Sequence, residues 1–305
     1  MTHKVFKVDE AEDNIRLDTY LTGMYEDFSR TKIQDFIKSN KVLVNGKRAK
    51  SSYILNIDDD IECLFSDYEN KILPEEINLD IEYETENYAV INKPSGMLTH
   101  PTSKEKSGTL VNALLYKYGN ELSDINGEYR RGIVHRLDKN TSGLIIVTKT
   151  NEAHEKFAQM IKNREIEKHY RAIVKGRIEN NFTINEPIGR CKTHSGKMAV
   201  TPDGKPSLSE IRIIEQFDEG TYIDVNLKTG RTHQIRVHLS YSGHPVFNDT
   251  LYGFGKMKIK TEEQVLQSYK LNFTDPFTNQ LVAVEIEPDE KIKKVINYLR
   301  QRSEK

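Results

Sequence analysis

The stretch RGIVHRLDKNTSGLIIVT, residues 131–148, places a single acid, Asp138, in a turn-rich loop between two apolar segments that are typical of strands. Asn140 and Gly143 supply turn residues, and Leu144–Thr148 is an apolar run that predicts a buried strand. Reacting groups usually lie on loops held by rigid strands. The stretch therefore predicts a functional loop centred on Asp138.

Four cations surround this acid in the sequence: Arg130, Arg131, Arg136 and Lys139. Nearby positive charge favours the charged form of a carboxyl group, so we expect Asp138 to be a carboxylate. An acid that only neutralises its basic neighbours, or caps a turn, is the simpler alternative.

Outward from this loop, the pattern of apolar residues predicts alternating strands and helices. The predicted strands are Tyr88–Asn92, Leu144–Thr148, His169–Val174, Glu210–Gln216 and Tyr222–Leu227. The predicted helices run from a cap at Ser107 to Gly119 and over Asn151–Arg164. Several strands follow one another without a helix between them, so we expect an α+β fold with a mixed, mainly antiparallel sheet.

The first part of the chain predicts a small α+β unit of its own. Ser29 is a suitable N-cap for a helix whose apolar face carries Ile33 and Phe36, and Asn45-Gly46 predicts a tight turn between strands.

An acid-rich stretch over residues 58–86 follows this unit, and we interpret Tyr68–Leu79 as a linker. We therefore expect domains at residues 14–67 and 80–300; an acidic surface loop within a single domain is the alternative.

Basic residues concentrate in the small unit. Residues 30–50 hold seven basic residues and one acid, Asp35. Such a segment is typical of a phosphate-contacting surface, although a solvated basic face would look the same by charge alone. The residues that we expect to contact RNA there are Arg30, Lys32, Lys47 and Arg48.

Bulk composition narrows the class of protein. The 305 residues hold 45 Lys plus Arg against 46 Asp plus Glu, so net charge indicates no particular partner. The two cysteines, Cys63 and Cys191, are far apart, which argues against a disulfide framework or a zinc site. No apolar run resembles a signal peptide or a membrane span, so we expect a cytoplasmic protein with no membrane partner. We also expect a monomer.

Five motifs resemble those of the RluA-type pseudouridine synthases. HRLDKNTSG, residues 135–143, resembles the family signature, and the other four occur in the family order. They are INKPSGMLTHP (91–101), EKHYRAIVKG (167–176), LKTGRTHQIRVHL (227–239) and GHPVFNDTLYG (243–253). The resemblance covers residues 80 to about 290. Departures from the family pattern lie at Ser207, Ser268 and Asp275-Pro276.

The N-terminal unit resembles the small RNA-binding domain first seen in ribosomal protein S-four, over roughly residues 14–66. The motifs that carry this resemblance are RLDTYL, SRTKIQDFI, KVLVNGKRAK and DDDIEC.

The catalytic resemblance implies that the chain converts uridine to pseudouridine in folded RNA. It implies Asp138 as the essential residue, Tyr170 as the residue that packs against the target base, and Arg231 as the ion-pair partner of Asp138. Arg136 resembles the family residue that fills the space vacated by the flipped base. The reaction imports no group and oxidises nothing, so we expect no cofactor and no metal.

His135 and Arg236 complete the set of residues expected to contact RNA. The two-domain arrangement suggests large-subunit ribosomal RNA, or a pre-ribosomal particle, as the partner. Transfer RNA is the alternative substrate. A non-catalytic ribosome-assembly factor and a hydrolase or nucleosidase acting on a sugar are the alternative functions; the hydrolase would favour a second acid near Asp138.

Overall fold

The computed structural model describes residues 4–9, 13–25, 28–65, 72–102, 105–194, 196–253, 259, 261 and 263–303. The chain divides into two compact units between Ile72 and Leu73. The first residues of the predicted linker, 68–71, lie outside the described residues. The predicted bounds 14–67 and 80–300 stay a prediction.

The N-terminal unit is a four-stranded antiparallel sheet with two helices. Its elements are β1 (Lys4–Lys7), α1 (Leu17–Met24), α2 (Arg30–Lys38), β2 (Val42–Val44), β3 (Lys47–Arg48) and β4 (Asp60–Cys63), with strand order β1-β4-β2-β3. The predicted cap is confirmed, since the Ser29 side chain accepts a hydrogen bond from the Lys32 backbone N–H. Packed aromatic rings fill the core, with Phe36 stacked on Phe65 at a centroid distance of 4.2 Å.

The second unit is built on a nine-stranded sheet, and the predicted α+β, mainly antiparallel fold is confirmed. Its strands are β5 (Asp80–Glu84), β6 (Tyr88–Lys93), β7 (Ser142–Thr148), β8 (Glu167–Lys175), β9 (Phe182–Asn185), β12 (Leu208–Gln216), β13 (Gly220–Leu227), β14 (Leu266–Thr274) and β15 (Leu281–Glu285). The order is β5-β6-β7-β14-β8-β13-β12-β9, with β15 paired to β14. Within the described ranges, β7 and β14 form the one parallel pair.

Four helices and a hairpin surround this sheet: α3 (Leu110–Tyr118), α4 (Asn151–Asn163), α5 (Gln234–Tyr241), α6 (Glu290–Ser303) and the hairpin of β10 (Ile188–Arg190) and β11 (Met198–Val200). The predicted cap of α3 at Ser107 is wrong. Thr109 caps the helix, because its side chain accepts from the Asn112 N–H while the Asn112 side chain accepts from the Thr109 N–H.

The loop that carries Asp138 runs into β7. The strand predicted before this loop is wrong: it is reduced to one bridge, between Ile133 and Val147. Thr99 fixes the middle of the loop, since its hydroxyl donates to the Leu137 carbonyl at 2.9 Å and accepts from the Leu137 N–H at 3.3 Å. The loop is therefore held by side-chain contacts as well as by the strand that follows it.

Gly143 allows β7 and β14 to approach closely. Its φ is +109°, and a Cβ atom there would collide with the carbonyl group of Ser268 on β14. The parallel pairing joins Gly143 to Ser268 and Ser142 to Gln267. The glycine predicted in the turn thus lies in the strand, where it permits the close approach of β14.

Candidate active site

A cleft of about 470 Å³ opens above the Asp138 loop. Residues 134–138 line one side and residues 227–236 line the other, with Lys168 and Tyr170 contributed by β8. The Asp138 side chain is 18% exposed, so its carboxylate can meet a ligand in the cleft. The prediction that Asp138 lies on a loop before a buried strand agrees with this geometry, whereas the strand predicted before the loop is reduced to one bridge.

Arg236 on α5 is the ion-pair partner of Asp138. Its Nη1 lies 2.9 Å from Asp138 Oδ2, while Nε and Nη2 donate to the two carboxylate oxygens of Asp249 at 2.7 and 2.9 Å. Asp249 also accepts from the backbone N–H groups of Leu251 and Tyr252. Burial raises the pKa of Asp249, but the hydrogen bonds and charge of Arg236 outweigh it and hold that pKa below its ordinary value.

The ion pair predicted for Arg231 is therefore wrong. The Arg231 side chain is exposed, and its Nε donates to the Pro206 carbonyl at 3.3 Å. The Gln234 side chain causes this arrangement, because its Oε1 accepts from the Arg231 N–H at 3.0 Å and from the Thr229 hydroxyl at 2.8 Å. The turn before α5 is thereby fixed with Arg231 at the rim of the cleft.

The role predicted for Arg236 as an RNA contact is also contradicted. Arg236 is 7% exposed, and its guanidinium is committed to Asp138 and Asp249. Its guanidinium therefore lies in the floor of the cleft, held by two carboxylates, and does not project from the surface as a phosphate contact would. Arg231 and Arg236 belong to the same motif, residues 227–239. The direction of α5 decides that Arg236 and not Arg231 points toward Asp138.

Tyr170 lies in the wall of the cleft, 6% exposed. It is paired across the sheet with Ser268, whose side chain also hydrogen-bonds to it. Burial raises the pKa of Tyr170 to about 12, so its hydroxyl stays protonated at neutral pH. The departure from the family pattern at Ser268 thus lies directly beside a candidate site residue.

His135 and Arg136 line the cleft beside Asp138. His135 is half-buried, and its Nε2 accepts from the Ile146 N–H at 3.0 Å. Burial, and then the charge of Lys168, lowers the pKa of His135 to about 3, so it is a neutral hydrogen-bond acceptor. Arg136 is exposed and free to meet a ligand at the mouth of the cleft.

Two lysines of the site were not predicted. Lys93 is fully buried, and its Nζ donates to the carbonyls of Pro94, Met97 and Lys139 at 2.8, 2.8 and 3.2 Å. It ties the turn after β6 to the residue that follows Asp138. Burial lowers the pKa of Lys93 to about 7, although three carbonyl acceptors suit a charged ammonium group. The position of Lys93 in the INKPSG motif is the sequence feature that could have identified it as a residue of the site.

Lys168 is the second such residue. It is 9% exposed and lines the cleft two positions before Tyr170 on β8. Among the described residues it has no hydrogen-bond or ion-pair partner. Burial lowers the pKa of Lys168. The sequence showed it only as one of several cations on a basic strand.

The predicted RNA contacts of the N-terminal unit differ in their surroundings. Lys47 and Arg48 are exposed on β3. Arg30 is exposed but lies 3.1 Å from the buried carboxylate of Asp18, and Lys32 lies 4.6 Å from the centre of the Phe36 ring. The charges of β3 are thus the most accessible of the four.

No cluster of three or more histidine, cysteine or acidic side chains suited to a metal ion occurs in the described part of the chain. Nor is any described helix long and apolar enough to cross a membrane.

Comparisons with known proteins identify both units. Residues 87–241 match the family model "RNA pseudouridylate synthase", and residues 15–61 match the S4 domain model. The chain is 39% identical to the uncharacterized RNA pseudouridine synthase YlyB of Bacillus subtilis, over 96% of each chain. It is 40% identical to the ribosomal large subunit pseudouridine synthase D of Yersinia pestis, over 81% of this chain and 75% of that one.

Among solved structures, human RNA pseudouridylate synthase domain containing 1 superposes with a TM-score of 0.58 at 26% identity, covering 74% of this chain and 96% of that one. The chain belongs to the RNA pseudouridylate synthase family, as an RluA-type RNA pseudouridine synthase, an isomerase, with an N-terminal S4 RNA-binding domain.

Proposed function

We propose that this enzyme isomerises uridines of large-subunit ribosomal RNA, with Asp138 as its catalytic carboxylate. The observation that carries the assignment of Asp138 is its ion pair with Arg236 in the floor of the cleft, 2.9 Å long and backed by buried Asp249. Such a pair fixes the direction of one carboxylate while its exposed side faces the ligand.

The reaction has requirements that this arrangement meets. The bond between uracil N1 and the sugar C1′ breaks, the base rotates, and a bond between C5 and C1′ forms while the C5 proton leaves. Asp138 could act as nucleophile at C1′, by analogy with glycoside chemistry, or take a proton from the neighbouring sugar carbon. Both routes need a carboxylate beside C1′.

Tyr170 is the proposed contact for the base. Its ring offers a flat face to a flipped uracil, and its protonated hydroxyl can hydrogen-bond to the base. Arg136, exposed at the mouth, is the proposed residue that occupies the vacated stack and contacts neighbouring phosphates. Arg231 at the rim is proposed as a phosphate contact.

Ribosomal RNA is proposed as the substrate from two observations. Relatives with 40% identity carry the name ribosomal large subunit pseudouridine synthase D. An S4 domain with exposed Lys47 and Arg48 supports binding to a structured RNA. Transfer RNA remains the second candidate, because the uncharacterized relatives carry no named substrate.

The test is tritium release from RNA labelled at C5 of uridine, with total ribosomal RNA from cells lacking this protein. Wild type is expected to release tritium and Asp138→Asn is not. Release by both would refute the catalytic role of Asp138. Release from labelled transfer RNA but not ribosomal RNA would refute the proposed substrate while leaving the reaction intact.

A further inference from the structure

His233, the residue before α5, has an unusual backbone that directs its side chain into the cleft. Its φ and ψ are 57° and 19°, the left-handed region that few residues other than glycine adopt. Nδ1 lies 2.9 Å from the Tyr252 hydroxyl, and Nε2 lies 3.9 Å from Asp138 Oδ2. Strained positions of this kind often serve a site.

The hydrogen bonds around Tyr252 determine which ring nitrogen of His233 carries the proton. The Met198 backbone N–H can only donate, and it donates to the Tyr252 oxygen at 2.9 Å. The Tyr252 hydroxyl hydrogen is then free to point to Nδ1 of His233. Burial raises the pKa of Tyr252, which keeps this hydrogen in place. This arrangement favours Nδ1 as the acceptor and Nε2 as the nitrogen that carries the N–H and faces Asp138.

Burial is the main reason that the His233 ring is neutral. Burial lowers the pKa of His233, and the cations of Arg236 and Arg136 add to this. Asp138 and Asp249 act in the opposite direction but do not outweigh burial. A neutral ring can donate to Asp138 without cancelling its negative charge, as a second cation would.

Both donors approach the same oxygen of the carboxylate. Arg236 Nη1 and His233 Nε2 each face Oδ2, whereas Oδ1 accepts no hydrogen bond from any described residue. Contacts of catalytic groups are often long without substrate and shorten when it binds. Closure of the 3.9 Å gap would place both donors on Oδ2 and leave Oδ1 without a hydrogen bond from the described residues.

We propose that His233 is a positioning residue, set by Tyr252 as the Nε2–H tautomer, that holds Oδ2 of Asp138 and leaves Oδ1 as the oxygen that reacts with the sugar. This inference rests on the proposed catalytic role of Asp138. The β10–β11 hairpin, through Met198, is part of the same chain of hydrogen bonds.

The test compares single-turnover rates and KM for His233→Asn, His233→Gln and Tyr252→Phe. Asn suits the left-handed backbone but is too short to reach Asp138, whereas Gln can place an N–H near the Nε2 position. We expect His233→Asn to lower the single-turnover rate about 100-fold, the lower end of the roughly 10²–10³ that one lost donor costs in preorganised sites, with little change in KM. We expect His233→Gln to recover most of that loss and Tyr252→Phe to fall between them. His194→Asn, at an exposed histidine, is the matched control.

A second readout is the ¹⁵N spectrum of the imidazole, assigned by its loss in His233→Gln. Wild type at neutral pH is expected to show protonated Nε2 and unprotonated Nδ1, and Tyr252→Phe to lose this preference. A protonated Nδ1 in wild type, or a wild-type rate in His233→Asn, would overturn the proposal for His233. If Asp138→Asn were inactive in the same experiments, the proposed function of the enzyme would still stand. An active Asp138→Asn would instead remove the function on which the proposal rests.

Discussion

Asp138 and Asp249 share one guanidinium, that of Arg236, so the floor of the cleft holds two carboxylates and one cation within hydrogen-bond distance. Asp249 is fully buried and bound by two arginine nitrogens, whereas Asp138 is bound by one and partly exposed. The unequal sharing fixes Arg236 on Asp249 and leaves Asp138 available to a ligand.

Arg236→Met is expected to unfold more easily and to lose turnover, because it leaves Asp249 as a buried charge without its partner. Breaking a buried ion pair from one side typically costs about 3–5 kcal/mol. Arg231→Met is the comparison, and we expect it to keep wild-type stability and, once the RNA is fully bound, a near wild-type single-turnover rate. The measurements are urea unfolding and single-turnover kinetics; equal losses in both variants would refute the assignment of the ion pair.

Lys168→Met is expected to separate stability from RNA binding. Removing an unpartnered buried ammonium should leave stability unchanged or slightly higher, since burial disfavours that charge. If Lys168 neutralises one phosphate, the slope of log Kd against log salt should fall by about 0.7 for single-stranded RNA. Filter binding over a salt series measures this slope, and an unchanged slope would exclude a phosphate contact.

For individual residues, the sequence indicated the type of reaction but not which side chains contact each other in the site. Asp138 and Tyr170 could be named because the motifs that hold them resemble those of the RluA-type synthases. Arg231 and Arg236 lie five positions apart in one motif, and the change from turn to helix at Gln234 decides which of them turns inward. That change depends on hydrogen bonds from Gln234 to β12, which no local pattern shows.

Among the elements, the contact of β7 with β14 determines whether the cleft forms. β14 places Ser268 beside Tyr170 on one side and beside Gly143 on the other. The Asp138 loop enters β7 only a few residues earlier, so the loop position depends on this contact.

Gly143→Ala is therefore expected to destabilise the catalytic unit severely, by more than about 3 kcal/mol, through positive φ and collision with the Ser268 backbone. Gly23→Ala serves as the control. Gly23 lies in α1 with open space where its Cβ would be, and alanine in a helix is expected to stabilise by about 0.5–1 kcal/mol. Thermal unfolding of both variants measures the contrast, and a Gly143→Ala variant with wild-type stability would show that the strands can separate without loss.

Element type was largely predictable and element ends less so. Ser29 was identified as a cap because it stands alone before an amphipathic helix. Ser107 and Thr109 are both suitable caps, and the reciprocal bonds with Asn112 favour Thr109. Pairing of β7 with β14 could not be predicted, because no local signal links strands so far apart in the chain.

For the molecule as a whole, buried histidines make stability depend on pH. Burial is the main cause that lowers the pKa of five of them, to about 3 for His135 and about 4 for His100; the others are His154, His233 and His238. An unfolded histidine binds a proton near pH 6.5, whereas these folded ones do not. The unfolded state therefore takes up more protons below pH 6.5, and stability is lost as pH falls from there.

We expect the urea midpoint to decrease as the pH is lowered from 6.5 to 5. The decrease should correspond to a loss of more than about 1 kcal/mol in the free energy of unfolding. Lys93, with a pKa lowered to about 7, titrates mainly above this window. His135→Gln can still accept from the Ile146 N–H but does not titrate, so its midpoint should fall less. A midpoint constant over the window would contradict the burial of these rings as neutral groups.

The parallel contact between Gly143 and Ser268 also bears on how the enzyme is made. A ribosome delivers β7 first, and β14 emerges only after more than a hundred further residues, which takes on the order of 10 s at ordinary rates of translation. Until then the nascent chain has Asp138 on a loop whose supporting strand lacks one neighbour. The loop that carries Asp138 therefore gains its full support from the sheet only after β14 has been synthesised.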